Sequence, residues 1–259
     1  MNGNVILLKN PRESNSKDDD YYKIFDKYGY YPNFLPVITH TNIINQIVPV
    51  LNDSDYLDEL PFIIVTSQRA LTFLNEKDLN NQYPSQNFEK LLNKPVYTVG
   101  PATAKCLRNL KFKDIRGTET GNAEALAKLI ISELDQYDLT QKPLFLTGEK
   151  HKDTITKALK TKFNISVEEI VTYKTISLDD SLLRFKSVFK PNSWIILFSP
   201  QGTKDILKYL NDHKLNSSPF HLAAIGPYTR EYLISNDLKP DVVSPHPDPI
   251  SLVNSILTF

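Results

Sequence analysis

The sequence predicts an α/β protein in which one parallel-sheet domain is inserted into another. Short runs rich in Val, Ile and Leu alternate with stretches of helical periodicity along the chain, the pattern of βα units around parallel sheets. The chain also resembles itself. Ile63-Ile64-Val65-Thr66-Ser67 is matched by Ile195-Ile196-Leu197-Phe198-Ser199, and Val99-Gly100-Pro101-Ala102-Thr103 by Ile225-Gly226-Pro227-Tyr228-Thr229. Leu126 and Ile130 recur as Leu252 and Ile256 at the second offset. Two copies of one βαβα unit account for these matches. The first copy runs on through two further strands, whereas the second stops at Phe259 with three. Strands near the start of the chain supply the missing pair. The simplest arrangement is a discontinuous domain, 1–38 plus 176–259, with a second domain, 40–172, inserted into it. Linker segments near 39 and 172–175 then join the lobes and form a hinge above a cleft.

The elements follow in order. Residues 5–8 form the first strand, and Asp18-Asp19-Asp20 reads as a solvated helix start. Residues 33–37 form the second strand. The Asn-rich stretches 52–59 and 75–93 read as loops or frayed helices. Strands follow at 62–66, 96–99 and 114–116, with Cys106 in a helix over 104–110. Leu126, Ile130 and Leu134 share one side of a helix over 123–134. A strand at 144–147, a helix at 155–163 and a strand at 166–171 complete the first copy. Asp179-Asp180 leads into a helix at 182–189. The second copy has strands at 194–198, 222–225 and 241–243, with a helix at 206–210.

Composition narrows the function classes. Hydrophobic residues make up 41% of the 259, enough for real cores, so a disordered or collagen-like chain is excluded. Thirty basic residues balance thirty acidic ones, and no basic excess argues for a nucleic-acid partner. One cysteine excludes an intramolecular disulfide and, with no signal peptide in the given sequence, suits a reducing, cytoplasmic setting. No run approaches a membrane span, so no membrane partner is expected.

The motifs sit where parallel sheets bind ligands, at the carboxyl ends of strands. Ser67 and Ser199 each follow an apolar strand and open a helical pattern, with Pro200 suited to the first helical position. Each has two readings, a simple N-cap or the mark of a helix N-terminus whose free amides meet an anion. Gly100-Pro101 and Gly226-Pro227 mark two more strand-to-helix turns, with Thr103 and Thr229 in the first turn. Asn122 can cap the helix after Gly121, with Glu124 placed well in its dipole. Arg69, Lys150, Lys152, Lys204 and Arg230 lie nearby. Hydroxyls, amides and scattered cations suit a ligand carrying many carboxylates better than a metal. His40, His151, His213, His221 and His246 show no i, i+4 pair and no partner cysteine, so no metal site is expected. Neither a Walker A loop nor a G-x-G-x-x-G or G-x-S-x-G motif is present.

These residues together resemble the uroporphyrinogen-III synthase family over nearly the whole chain. The resemblance is carried by Val5-Ile6-Leu7-Leu8-Lys9, Phe34-Leu35-Pro36-Val37, Val65-Thr66-Ser67-Gln68-Arg69-Ala70, Val99-Gly100-Pro101-Ala102-Thr103-Ala104 and Gly121-Asn122-Ala123-Glu124-Ala125-Leu126. It continues in Gly148 with Lys152, Ala158-Leu159, Ile170-Val171-Thr172-Tyr173-Lys174-Thr175, Phe198-Ser199-Pro200 and Ala224-Ile225-Gly226-Pro227-Tyr228-Thr229.

The resemblance implies two flavodoxin-like, doubly wound domains joined by a two-stranded linker. It implies a lyase that closes hydroxymethylbilane to uroporphyrinogen III, inverting ring D through a spirocyclic pyrrolenine, with no metal or organic cofactor. It implies Tyr173 as the catalytic group, its phenol assisting the departing hydroxyl. Ser67, Arg69, Thr103, Asn122, Ala123, Lys152, Ser199, Gly202 and Thr229 are the implied substrate contacts. Lys152 stands where many relatives carry arginine, which keeps the charge but not the planar fork. A monomer supplied by hydroxymethylbilane synthase is the implied setting. The competing expectation is a two-lobed anion- or tetrapyrrole-binding regulatory protein without chemistry.

Overall fold

The computed structural model describes residues 3–12, 15–75, 84–213 and 219–259. Its elements begin with β1 (Asn4–Leu8), α1 (Asp20–Lys27), β2 (Tyr31–Phe34) and β3 (Ile38–Asn42). Next come α2 (Ile47–Asn52), α3 (Ser54–Glu59), β4 (Ile63–Val65) and a 3-10 helix (Gln68–Asn75). These lead to α4 (Ser85–Asn93), β5 (Pro95–Thr98), α5 (Pro101–Asn109), β6 (Asp114–Arg116) and α6 (Ala123–Ser132). Then follow β7 (Leu144–Gly148), α7 (Thr154–Phe163), β8 (Glu168–Ser177) and α8 (Ser181–Val188). The chain closes with β9 (Trp194–Leu197), α9 (Lys204–His213), β10 (His221–Ala224), α10 (Pro227–Ser235), β11 (Val242–Val243) and α11 (Pro249–Leu257).

The chain divides into two compact units, Met1–Thr39 with Ile176–Phe259, and His40–Thr175. Each is built on a sheet of parallel strands, as the βα alternation requires, with β3 added at the edge of the second, bonded to β8 in the antiparallel sense. The first sheet has the order β11-β10-β9-β1-β2 and the second β3-β8-β7-β4-β5-β6. Strands β9, β10, β11, β1 and β2 occupy the places that β4, β5, β6, β7 and β8 hold in the other sheet. In chain order the first sheet therefore reads 2-1-3-4-5 and the second, leaving out its edge strand β3, 3-2-1-4-5, two doubly wound orders related by circular permutation.

Both sheets are buried on both faces, which explains their nearly continuous apolar runs. Along β9, Trp194 and Ile196 pack in one cluster while Ile195 and Leu197 pack in another. All three residues of β4 are fully buried, alternating in the same way. Each such Ile or Leu contributes roughly 1.5–3 kcal/mol relative to exposure.

The structure corrects several local expectations. The strand expected at 33–37 ends at Phe34, and a separate β3 begins at Ile38; Pro36 lies in the break and has no N–H to give a ladder. Of the two readings of the Asn-rich stretches, the described parts take the helical one. Asp53 caps α3 through the Tyr56 amide at 2.9 Å, and α4 covers Ser85–Asn93. Residues 76–83 lie outside the described residues. The strand expected at 166–171 continues to Ser177, because Thr172, Thr175 and Ile176 extend its β-branched run and β3 pairs with it. Pro200 is not the first residue of a helix. Gly202 has φ +80°, which interrupts the turn, and α9 starts at Lys204. Asp19 does cap α1, but it is 1% exposed rather than solvated, because it pairs with Lys9.

Candidate functional site

In the sheet of the His40–Thr175 unit, β4 connects onward to β5 on one side while its other neighbour, β7, connects to β8. The strand order reverses between β4 and β7, and a doubly wound sheet leaves a crevice outside the carboxyl ends at that point. A cavity of about 280 Å³ lies there. Thr66 and Ser67 border it from the end of β4, and Thr147 and Gly148 from the end of β7. Val99, Phe145 and Ile155 give it an apolar floor, and Ala123 brings the first turn of α6 to its edge.

Local sequence explains these placements. Ser67 caps the 3-10 helix, its Oγ accepting from the Arg69 amide at 3.3 Å. The Asn122 Oδ1 accepts from the Ala125 amide at 2.8 Å, as the capping pattern predicts. The orphan amides of α6's first turn and its dipole make that edge favourable to anions. Lys150, His151 and Lys152, on the loop between β7 and α7, supply the basic side chains of the lining, which contains no carboxylate. Among the described residues neither ammonium has an ion-pair partner.

Tyr173 reaches this cavity through a break in strand register. Thr147 pairs with Val171, but Gly148 pairs with Tyr173, leaving Thr172 as the extra residue of a bulge. Thr172 is fully buried, and its Oγ1 donates to the carbonyls of Ala70 (2.9 Å) and Thr147 (3.3 Å). The bulge brings the Tyr173 ring onto Gly148. A Cβ at Gly148 would lie 2.5 Å from the ring's Cζ and 2.7 Å from its hydroxyl, so only glycine fits. On β3, the His40 ring meets Tyr173 edge to face at 5.8 Å between centroids. The His40 Nδ1 bonds Thr175 Oγ1 at 3.0 Å, while its buried Nε2 has no partner among the described residues. Burial, with Arg69 adding to it, lowers the His40 pKa and favours the neutral ring. Lys174, adjacent to Tyr173 in sequence, is exposed and does not line the cavity.

Ser67, Ala123, Lys152 and Tyr173 therefore line one cavity, with Asn122 adjoining it as a cap. Arg69 is exposed on the 3-10 helix outside the lining, and Thr103 is 5% exposed in the first turn of α5. Ser199, Gly202 and Thr229 belong to the other unit. Ser199 follows β9, and Thr229 is 3% exposed in the first turn of α10. Gly202 has a packing reason of its own: a Cβ there would stand 2.2 Å from the Val37 carbonyl oxygen. Sequence reasoning missed the Thr172 bulge and Gly148's role beneath Tyr173, because a one-residue register shift has no composition signal. It also left His151 without a role.

Burial raises the Cys106 pKa, in keeping with a packed thiol. Among the described residues no group of three or more His, Cys, Asp or Glu could hold a metal ion. No helix among them is long and apolar enough to cross a membrane.

Known proteins place the chain. The family model described as uroporphyrinogen-III synthase HemD matches residues 19–254. The uroporphyrinogen-III synthase of Saccharomyces cerevisiae is 42% identical over 97% of this chain and 94% of its own length. That of Schizosaccharomyces pombe is 33% identical over 93% and 92%. The crystal structure of uroporphyrinogen-III synthetase from Helicobacter pylori shares the fold at a TM-score of 0.63 and 17% identity, covering 100% of this chain and 99% of that one. With two relatives above 30% identity matched nearly end to end, the chain belongs to the uroporphyrinogen-III synthase family.

Proposed function

We infer that this protein is a lyase that cyclises hydroxymethylbilane to uroporphyrinogen III. The observation that carries the reading at the level of the site is the Tyr173 phenol, seated on Gly148 at the rim of a lysine-bearing cavity without carboxylates. The reaction must remove a terminal hydroxyl, and a phenol can donate a hydrogen bond or proton to it as it leaves. The substrate carries eight carboxylates, which suit Lys150, Lys152 and the N-terminal amides of α6. The apolar floor of Val99, Phe145 and Ile155 excludes water from a pyrrole ring, which favours ring closure over capture by water. Ser67, Asn122 and Ala123 contribute backbone and hydroxyl contacts in the same cavity, with Arg69 and Thr103 close by on the same unit. On the other unit, Ser199, Gly202 and Thr229 stand at the equivalent turns and are proposed substrate contacts of that unit. The enzyme works as a cytoplasmic monomer and receives its substrate from hydroxymethylbilane synthase.

The test is incubation with freshly made hydroxymethylbilane and separation of the type I and type III isomers. Left alone, the bilane closes without inversion to isomer I. A rise in the III/I ratio above a no-protein control is expected. Folded protein that leaves the ratio unchanged refutes the enzyme and favours an anion-binding regulatory protein.

A further inference from the structure

His151 contacts two oxygen atoms that can only accept. Its Nδ1 lies 2.9 Å from the Gly148 carbonyl oxygen, and its Nε2 lies 3.1 Å from Glu169 Oε2. A neutral imidazole carries one N–H and can satisfy only one of them; the imidazolium satisfies both. We propose that His151 is a positioning residue, a protonated clasp that fixes the loop carrying Lys150 and Lys152 against the cavity for the carboxylates of a linear tetrapyrrole.

The surroundings fit a clasp better than a direct contact. Both ring nitrogens are already engaged, and Glu169 balances the charge, so the substrate gains the loop geometry rather than a third free cation. The Phe145 ring meets His151 edge to face at 5.7 Å between centroids, fixing the ring plane from β7. The loop's other tie to β8 is the Glu149 amide donating to the Tyr173 carbonyl at 3.0 Å. Charged and titratable groups around the ring are Glu149, Lys150, Lys152 and Asp153 on its own segment, and Glu169 and Tyr173 on β8. Asp153 is taken by Lys157 at 2.7 Å, leaving Glu169 as the carboxylate paired with the ring. Losing the second ring proton breaks one of the two bonds and frees the loop at one end. Loss of either bond therefore weakens capture of substrate, while the chemistry at Tyr173 continues.

The kinetic arm rests on the synthase reading, so a second arm does not. In 15N spectra of labelled protein, with the His151 signals assigned by comparison with His151→Gln, both ring nitrogens should show hydrogen-bonded N–H signals in the native protein, and Glu169→Ala should remove the one at Nε2. A bare nitrogen in the native ring overturns the clasp whether or not the protein is an enzyme. In the isomer assay, with the spontaneous reaction subtracted, KM for hydroxymethylbilane should be about fivefold higher in His151→Gln than in the native protein, the size of one net hydrogen bond, with kcat little changed. An unaltered KM in His151→Gln, or a loss confined to kcat, overturns the proposal. Absence of isomer III from the native protein counts against the synthase reading and leaves the spectra to decide the clasp.

Discussion

The two units share a spatial arrangement of five strands, permuted along the chain, and a set of turns, but end their central strands differently. In the His40–Thr175 unit, β4 and β7 run out into Thr66-Ser67 and Thr147-Gly148, and the crevice between them is a cavity. In the other unit the corresponding strands, β9 and β1, pair Leu197 with Leu8 and run out into Phe198-Ser199 and Lys9-Asn10. There the Lys9 ammonium lies 4.6 Å from the Tyr21 ring centroid and 5.3 Å from those of Phe34 and Phe198, and 3.4 Å from Asp19 Oδ2. Three aromatic rings stand around a lysine there, where the other unit has small residues. Burial lowers the Lys9 pKa, while Asp19 and the rings favour its charge. Topology provides both crevices; the side chains at the strand ends give them different linings.

The largest expected effect breaks the open crevice at its base. Gly148→Ala should lower turnover by at least about 10²-fold by pushing the Tyr173 ring off its seat, the scale of a small misplacement at a reacting centre. Asn10→Ala, at the equivalent, exposed position of the other unit, should stay within about twofold. Equal losses would show that Tyr173's placement does not depend on Gly148.

Tyr173→Phe keeps the ring and removes only the hydroxyl, so turnover should fall by about 10²-fold with product binding and folding nearly intact. Near-normal turnover would assign the proton to water and leave Tyr173 a packing role.

The cluster around Lys9 is tested through stability. Burial opposes ionisation of Asp19, but hydrogen bonds from the Arg12 and Tyr21 amides, with Lys9, outweigh it and hold its pKa below the ordinary value. A depressed carboxyl stabilises the fold above its unfolded pKa, and that contribution is lost as pH falls through the folded one. Asp19→Asn should lower the melting temperature at neutral pH, by the equivalent of about 2–3 kcal/mol for a broken charged contact, and flatten the acid limb of stability. The same acid dependence in both proteins would remove Asp19 from this account.

The smallest effects compare the caps. Asn122 caps α6, and at the equivalent position Asp248 caps α11, accepting from the Ser251 amide at 2.8 Å. Either residue changed to alanine should cost about 1 kcal/mol. Only Asn122→Ala should also raise KM, since its helix borders the cavity. A matching KM change in Asp248→Ala would show that the two turns serve the substrate alike.

Much of this was legible in the chain. The repeat of Ile63–Ser67 in Ile195–Ser199 pointed to equivalent strands, and the unequal strand count called for β1 and β2 beside β9. Asn122 was recognisable as a cap because capping is local chemistry over three residues. Tyr173 was reached by family resemblance, and its neighbourhood was not. Nothing in Val171-Thr172-Tyr173 announces which residue bulges, since that depends on the Ala70 and Thr147 carbonyls brought in from the 3-10 helix and from β7.

By itself the sequence determined the alternation of parallel strands with helices and the caps at Ser67 and Asn122, because apolar periodicity and capping are short-range properties. Only the tertiary structure decided that small residues line one crevice and aromatic rings stand around Lys9 at the other. It also decided that Tyr173 rests on Gly148 and that His151 joins β7 to β8. Those outcomes depend on distances between residues far apart in the chain, set by packing volume and strand register.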